Sequence, residues 1–432
     1  MPAPGWSVPG HCFEALVSYA DAPKELPPVS IRQLKIFEKV AQARSLRSAS
    51  ESCHLSQPSL SYSISRLEER LGIRLLERRT NGTFLNEFGE VIQRRVARMF
   101  AQFEQALVEI GIPGTGSTVN RVAGCITRSQ ARCLIAIVEN GSTANAARVL
   151  ALSQTTVQRR ARELEQTLRA PLYLQTASGI VASPAAAELA GRLKLALREI
   201  EWGLEEIAAL KGNAGGEIVV GAMLLSGSLI LASVLDRFEA AHPSAHVRVL
   251  NGNAKDMLRR LQRGDVDFVF GLIVEPTQNG VTAHSLGKTP YVVVARHGHP
   301  LTRGRNVTVE DLGRFDWVVG TPGANRRARF DELFAGRTRP RARIATCSLP
   351  MIRGLLAHSD SLALLTSYEL MHENEMLAAV PFGPLECVPS MGVMSREDWL
   401  PTQLQRSFMA LASETSVDVL VSPTVLQTVR EP

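Results

Sequence analysis

The chain has 432 residues, 45% of them hydrophobic, and a formal net charge of +6, so two or three domains with real cores are expected. No apolar run approaches the roughly 18 residues of a membrane span. The opening MPAPGWSVPGHCF has neither a basic n-region nor a signal-peptide core, so the protein reads as soluble and cytoplasmic, with residues 1–29 a proline-rich, disordered tail. Charge is unevenly spread: residues 31–98 carry 13 Lys and Arg against 7 Asp and Glu, a focus that suits a polyanion and makes binding salt-dependent.

The stretch SQPSLSYSISRLEERLG, Ser56 to Gly72, organises this basic region. Ser56 suits an N-cap and Pro58 a first helical turn. Leu60, Ile64, Leu67 and Leu71 recur at helical spacing as a buried stripe. Gln57, Ser59, Ser61 and Ser65 lie off that stripe with Tyr62 and Arg66, short polar groups with basic and aromatic neighbours that can approach base edges and phosphates. A shorter helix, Leu46 to Cys53, precedes a turn at His54-Leu55, and Ala49 marks a close helix crossing. Helix, tight turn and polar-faced helix make a helix-turn-helix; a small bundle with a merely solvated serine face is the bland alternative. Residues 75–86 read as a two-stranded wing turning at Asn81-Gly82, with Arg78, Arg79 and Thr80 beside the groove. Phe88, Ile92, Val96, Met99, Phe103, Leu107 and Ile110 then form a seam suited to a partner helix.

GIPGTGSTVN reads as a plain linker within a flexible segment 111–125, because no Gly-Lys-Ser/Thr follows its glycines. The chain then repeats itself: LSQTTVQRRARELEQTLRAPLYLQ (152–175) overlays LSQPSLSYSISRLEERLGIRLLER (55–78). Val157, Ala161, Leu164 and Leu168 form the inner stripe. Gln154, Thr156, Gln158, Arg159 and Arg162 face out. Gln175-Thr176-Ala177 stands where the first wing has Arg78-Arg79-Thr80, so this copy is either a second DNA reader or a degenerate copy kept for assembly. Leu189, Leu193, Leu197, Ile200, Leu204 and Ile207 make a second seam.

From Gly216 the pattern alternates strand and helix. Strands are expected at 217–223, 246–252 and 266–272, then at 291–301, 316–323, 343–348 and 362–367 in a second unit, with parallel pairing and crossover helices. His297 and His299 lack a third metal ligand at suitable spacing. The six cysteines, 12, 53, 125, 133, 347 and 387, form no C-x-x-C or ligand cluster, which leaves structural thiols rather than a redox switch. No nucleophile elbow, Ser/His/Asp set or carboxylate pair supports an enzyme, and no cofactor is expected.

The segment IRQLKIFEKVAQARSLRSASESCHLSQPSLSYSISRLEERLGIRLLERRTNGTFLNEFGE resembles, almost position by position, the winged helix-turn-helix of LysR-type transcriptional regulators. The run Leu261-Gln262-Arg263-Gly264-Asp265-Val266-Asp267 and His299-Pro300-Leu301 resemble markers of their effector domain, so the likeness spans about residues 30–415. The GAMLLSGSLILA run and the doubled N-terminus look closest to a branch containing a galactose-binding-protein regulator and regulators of aromatic-acid degradation.

The resemblance implies an α/β fold with an all-α, winged-helix N-terminal part. Winged helix-turn-helix domains lie at 30–87 and 126–183, with linker helices at 88–110 and 184–211. A periplasmic-binding-protein-like effector domain of two α/β subdomains fills 216–415, and 416–432 is a tail. It further implies double-stranded promoter DNA as partner, homo-oligomers (dimer or tetramer), RNA polymerase as a further partner, no membrane, and linker helices that dimerise. A small effector, a carboxylate or a sugar, is expected between the subdomains at strand ends and helix starts. Three stretches fall there by pattern: Met223, Leu225 and Ser226; Thr321, Pro322 and Gly323; and Cys347 with Ser348. Met223 and Leu225 stand where many members have Ser or Thr. The rival functions are a solute-binding component of a transporter and an enzyme.

Overall fold

The computed structural model describes residues 29–79, 82–112, 116–176, 179–213, 215–223, 228–273, 280–304, 306–383, 385 and 388–420. They fall in two compact units, 1–203 and 204–432. The expected N-terminal tail (save Val29, which is buried), Cys12, Thr80, Ala177, Leu225, Ser226, Cys387 and residues 421–432 lie outside the described residues.

The first unit opens with α1 (Ile31–Ala43), α2 (Leu46–Cys53) and α3 (Gln57–Leu71), then a hairpin of β1 (Leu76–Arg79) and β2 (Gly82–Leu85), and the long α4 (Glu87–Glu109). Each boundary has a local cause. Ser45 and Ser56 accept hydrogen bonds from the backbone N–H groups of Ser48 and Ser59, which satisfies donors a helix start leaves free. His54 turns the chain between α2 and α3 in the left-handed region, at φ 51°. Ala49 is fully buried at the crossing. The Asn86 side chain caps α4 at Gly89 N–H (2.8 Å), and Gly89 must be glycine: a Cβ there would lie 2.1 Å from the Leu75 carbonyl oxygen.

Residues 111–125 are not a flexible linker throughout. Gly116–Cys125 is a helix, α5, with Val119 and Ala123 buried, packed against α4 and α1. Its glycine-rich start hides the apolar i, i+4 pair that holds it. Then come α6 (Arg128–Asn140), α7 (Thr143–Val149), α8 (Gln154–Leu168), β3 (Tyr173–Thr176), β4 (Gly179–Ala182) and α9 (Pro184–Leu210). Each begins 97 residues after its counterpart, from Ile31 and Arg128 through Gln57 and Gln154 to Glu87 and Pro184.

The second unit is α/β. Its first sheet has the order β6 (Ala245–Gly252), β5 (Gly216–Met223), β7 (Phe268–Leu272), β14 (Ser390–Arg396), β8 (Val281–Lys288). Helices α10 (Ser228–Ala241) and α11 (Ala254–Gln262) connect β5, β6 and β7. Its second part holds β9 (Tyr291–Arg296), α12 (Val309–Leu312), β10 (Val318–Val319), α13 (Asn325–Leu333), β11 (Ile344–Ala345), α14 (Leu349–Ala357), β12 (Ala363–Thr366), α15 (Ser367–Glu373) and β13 (Leu377–Ala379). The chain ends its described course in α16 (Gln403–Leu420).

The sheets are mixed, which corrects the expected parallel pattern. Strand β5 runs parallel to β6 and β7, and β10 to β11, but β14 is antiparallel to β7 and β8, and β9 to β12 and β13. Strand β14 brings the chain back into the first sheet after its excursion through the second part. Neither β8 nor β14 is an apolar run: in β8, VTAHSLGK, exposed and half-buried positions dominate. The expected tail from 416 is also shorter, because α16 continues to Leu420 with Thr415 and Ser416 buried.

Candidate DNA-reading and effector-binding sites

Helix α3 turns Leu60, Ile64 and Leu67 into the core and keeps Ser56, Gln57, Pro58, Ser59, Tyr62 and Ser65 exposed, with Ser61 and Arg66 half-buried. Tyr62 is 67% exposed, a large cost in wetted apolar surface for a residue with no partner surface. Arg66 pairs with Glu69 at 2.8 Å. On the wing, Arg79 is exposed, 3.2 Å from Glu77 and stacked over the Phe84 ring; the Arg78 side chain and Thr80 fall outside what is described. The expected residues of α3 therefore lie on its solvent-facing, serine-rich side, with Arg79 exposed on the wing.

Glu68 holds that face at a set angle to the wing. It is buried, and its Oε1 accepts the N–H groups of Leu75 (2.7 Å) and Leu76 (3.2 Å). The second copy repeats the device: Glu165 Oε1 accepts from Leu172 (2.8 Å) and Tyr173 (3.2 Å). There, Ser153 caps α8 at Thr156. Gln154, Arg159 and Arg162 are exposed, with Thr156 and Gln158 half-buried. Gln154 donates to the Thr143 hydroxyl, and Arg159 and Arg160 both reach Glu163.

The two long helices meet within the chain. Arg95 donates to Glu199 at 2.8 Å, both side chains 1% exposed, while Arg98 and Gln102 donate to the other carboxylate oxygen at 2.9 and 3.1 Å. Arg192 forms a two-pronged pair with Glu109. Gly203 sits where a Cβ would press on Arg95 and Ile92 at 3.2 Å, so a small residue sets the approach of the helices.

In the second unit, parallel pairing of β10 with β11 brings two expected effector stretches together. Thr321, Pro322 and Gly323 form an exposed turn, with Gly323 at φ +83°. The Thr321 hydroxyl lies 3.4 Å from Cys347 Sγ. Ser348 precedes α14, and its hydroxyl makes no capping bond; its N–H donates to Thr346 Oγ1 instead. Met223 belongs elsewhere. Its side chain is buried among Val219, Met257 and Val269, because β5 alternates and this position points under α11. The Met223 wall expected from the sequence is therefore a core contact.

His299 is structural: Nδ1 accepts the Leu301 N–H and Nε2 faces the Asp360 carbonyl, both at 3.1 Å. That assigns the proton to Nε2. His297 Nε2 faces the Asn374 carbonyl. Among the described residues no group of His, Cys, Asp and Glu is arranged to hold a metal, and no helix is long and apolar enough to cross a membrane.

Two family patterns match this geometry. The bacterial regulatory helix-turn-helix protein, lysR family, matches residues 31–90 and again 129–187, and the LysR substrate binding domain matches 211–416. The chain belongs to the LysR-type transcriptional regulators. It is a DNA-binding regulator with a C-terminal effector-binding domain, and neither an enzyme nor a transport component. Among its relatives is the HTH-type transcriptional regulator GalR of Pseudomonas putida, 29% identical over 393 residues, covering 89% of this chain and 96% of that one. GbpR of Rhizobium radiobacter is 28% identical over 54% of this chain and 80% of its own. A full-length OxyR variant from Pseudomonas aeruginosa superposes with a TM-score of 0.52 at 14% identity, over 69% of this chain and 97% of that one; that likeness shows the fold.

For this LysR-type chain, sequence reasoning missed the charged groups that tie its elements together. Glu68 and its counterpart Glu165 were legible as the same acid at the same place in both copies. Asp267 closes the marker run Leu261–Asp267; its carboxylate accepts Val219 N–H (2.8 Å) and Gln405 Nε2–H (3.0 Å), tying β5 and α16 together. The Arg326–Glu369 pair (2.8 Å, both buried) gave no local signal at all, because its partners are 43 residues apart.

Proposed function

We propose that this regulator is a tandem reader, with α3 and α8 both facing promoter DNA and the periplasmic-binding-protein-like domain as its switch. The observation that carries the reading is the Arg95–Glu199 pair, by which one chain joins the helix after each reader. Gln57, Ser59, Ser61 and Tyr62 discriminate bases from α3, with Ser56, Pro58 and Ser65 at the contact. Gln154, Thr156, Gln158, Arg159 and Arg162 do so from α8. Arg66, Arg78, Arg79 and Thr80 hold phosphates. An effector of carboxylate or sugar class binds near Thr321, Pro322, Gly323, Cys347 and Ser348. Leu225 and Ser226, expected at the same ligand from the sequence alone, are further candidates.

The effector closes the subdomains, closure changes how chains pack, and packing resets the spacing of readers. It acts only if it binds one arrangement better than the other. The protein works in the cytoplasm as a homo-oligomer, two chains already presenting four readers, with RNA polymerase as the partner it influences. Fluorescence anisotropy on a promoter fragment from its own gene region tests the core of this. At moderate salt the fragment binds well ahead of random DNA, and Arg159→Ala with Arg162→Ala weakens it. Equal binding to random DNA rejects the reading; full affinity in the double variant removes α8 from it.

A further inference from the structure

We infer that one chain is a built-in pair of unlike readers and recognises a non-palindromic DNA element made of two different half-sites. This rests on the tandem reading above. Two independent observations lead to it, one in the seam between the long helices and one on the reading faces.

The seam is complementary only between unlike helices. Gln102 and Glu199 occupy the same position in the two copies, and they touch each other at 3.1 Å. Glu199 also receives Arg95 and Arg98, whose counterparts in α9 are Arg192 and Leu195. Pairing α9 with another α9 would set two Glu199 carboxylates face to face, with Arg192 in the place of Arg95 but leucine where Arg98 donates, so each carboxylate keeps one arginine instead of two. Pairing α4 with another α4 would bury Arg95 against a glutamine, with no carboxylate to compensate it. The α4–α4 pairing carries a buried arginine without a carboxylate, and the α9–α9 pairing two facing carboxylates with half their arginines, the device by which interfaces reject wrong partners. The pairing of α4 with α9 in one chain leaves neither.

The readers so joined differ. Gln57 matches Gln154 and Ser59 matches Thr156, but Ser61, Tyr62, Ser65 and Arg66 are replaced by Gln158, Arg159, Arg162 and Glu163. A short hydroxyl face with an exposed tyrosine meets different base edges from a face of glutamine and arginine. Glutamine suits adenine and arginine suits guanine through paired hydrogen bonds. A dimer of identical readers requires an inverted repeat because protein symmetry is copied into the operator. Here the symmetry is broken in the protein itself, so the half-site under α8 differs from that under α3 and is the richer in guanine.

Selection with the full chain from duplexes randomised over about 21 base pairs, two helical turns, tests this. The expected consensus holds two half-sites that are not inverted copies, and the selected duplex binds at least tenfold tighter than either palindrome built from one half. Tyr62→Arg with Ser65→Arg, both at exposed positions, shifts preference toward the palindrome of the α8 half-site, with circular dichroism unchanged. A palindromic consensus overturns the inference and leaves the tandem reading standing. A consensus with only one specified half overturns both.

Discussion

Gln102 Nε2 donates to Glu199 Oε1 at 3.1 Å, although these residues sit at the same position of two copies 97 residues apart. A residue that meets its own counterpart marks a local two-fold relation between α4 and α9. The chain thus contains within itself a pairing of its two long helices.

The Arg95–Glu199 pair is buried, and removing one partner leaves a charge with nothing to compensate it. Glu199→Ala should lower unfolding free energy by about 3–5 kcal/mol. Arg95→Met combined with Glu199→Leu should recover most of the loss, because replacing both ions by apolar groups is often neutral. Urea titration of each variant checks this. A small cost for Glu199→Ala alone would show that water reaches the seam.

Because α4 covers the α9 seam within the chain, full-length protein should contain two chains rather than four in solution. Deleting residues 1–120 should expose Leu189, Leu193 and Ile200, now buried, and drive further association. Light scattering on both forms decides it; a tetramer indifferent to the deletion contradicts the intrachain pairing.

On the first reader, the roles assigned to α3 and the wing separate by salt. Arg79→Ala should weaken binding to every sequence and reduce the salt slope by about 1. Ser61→Ala should relax sequence preference at a cost of roughly 1–3 kcal/mol on the preferred site. If Arg79→Ala changed the preferred sequence while leaving the salt slope alone, the roles would be reversed.

His299 and His372 should make the second unit acid-sensitive. Burial holds both below the ordinary histidine value, partly opposed at His299 by the Asp360 carbonyl and at His372 by Glu373. The unfolded chain then binds protons more readily than the folded one. Their contribution is complete above the unfolded pKa of about 6.5 and is lost as pH falls through the lowered folded values. His299→Asn with His372→Gln should flatten the fall in urea midpoint between pH 7.5 and 5. An unchanged slope would assign acid sensitivity to other groups.

A metabolite thermal-shift screen locates the effector. Sugars or carboxylates that raise the melting temperature should lose the effect in Thr321→Val with Ser348→Ala. Met223→Leu should leave it intact, since Met223 lies in the core. An effect carried by Met223→Leu instead would move the site to the end of β5.

Periodicity and local chemistry made much of this protein legible. The stripes of α3 and α8 and the serine caps follow from spacings of four or fewer residues, where side chain and backbone decide locally; the wings follow from a turn signal between short strands, and the duplication from a constant offset of 97. The same is true of β5, β6 and β7, whose apolar runs are bounded by helices. Tertiary structure decided what depends on distant partners. A glycine-rich start conceals α5 because its stability comes from Val119 and Ala123 packing on α4 and α1. Strand β8 exists because β14 returns to pair with it. Met223 is core and not cleft because the pleat of β5 turns it under α11. Glu199 is a buried charge on an apolar seam, and it reads as an error until Arg95 and Arg98 arrive from a helix about a hundred residues upstream. Local preference is summed along the chain, but compensation of a buried charge and closure of a sheet edge are properties of contact, which sequence order does not record.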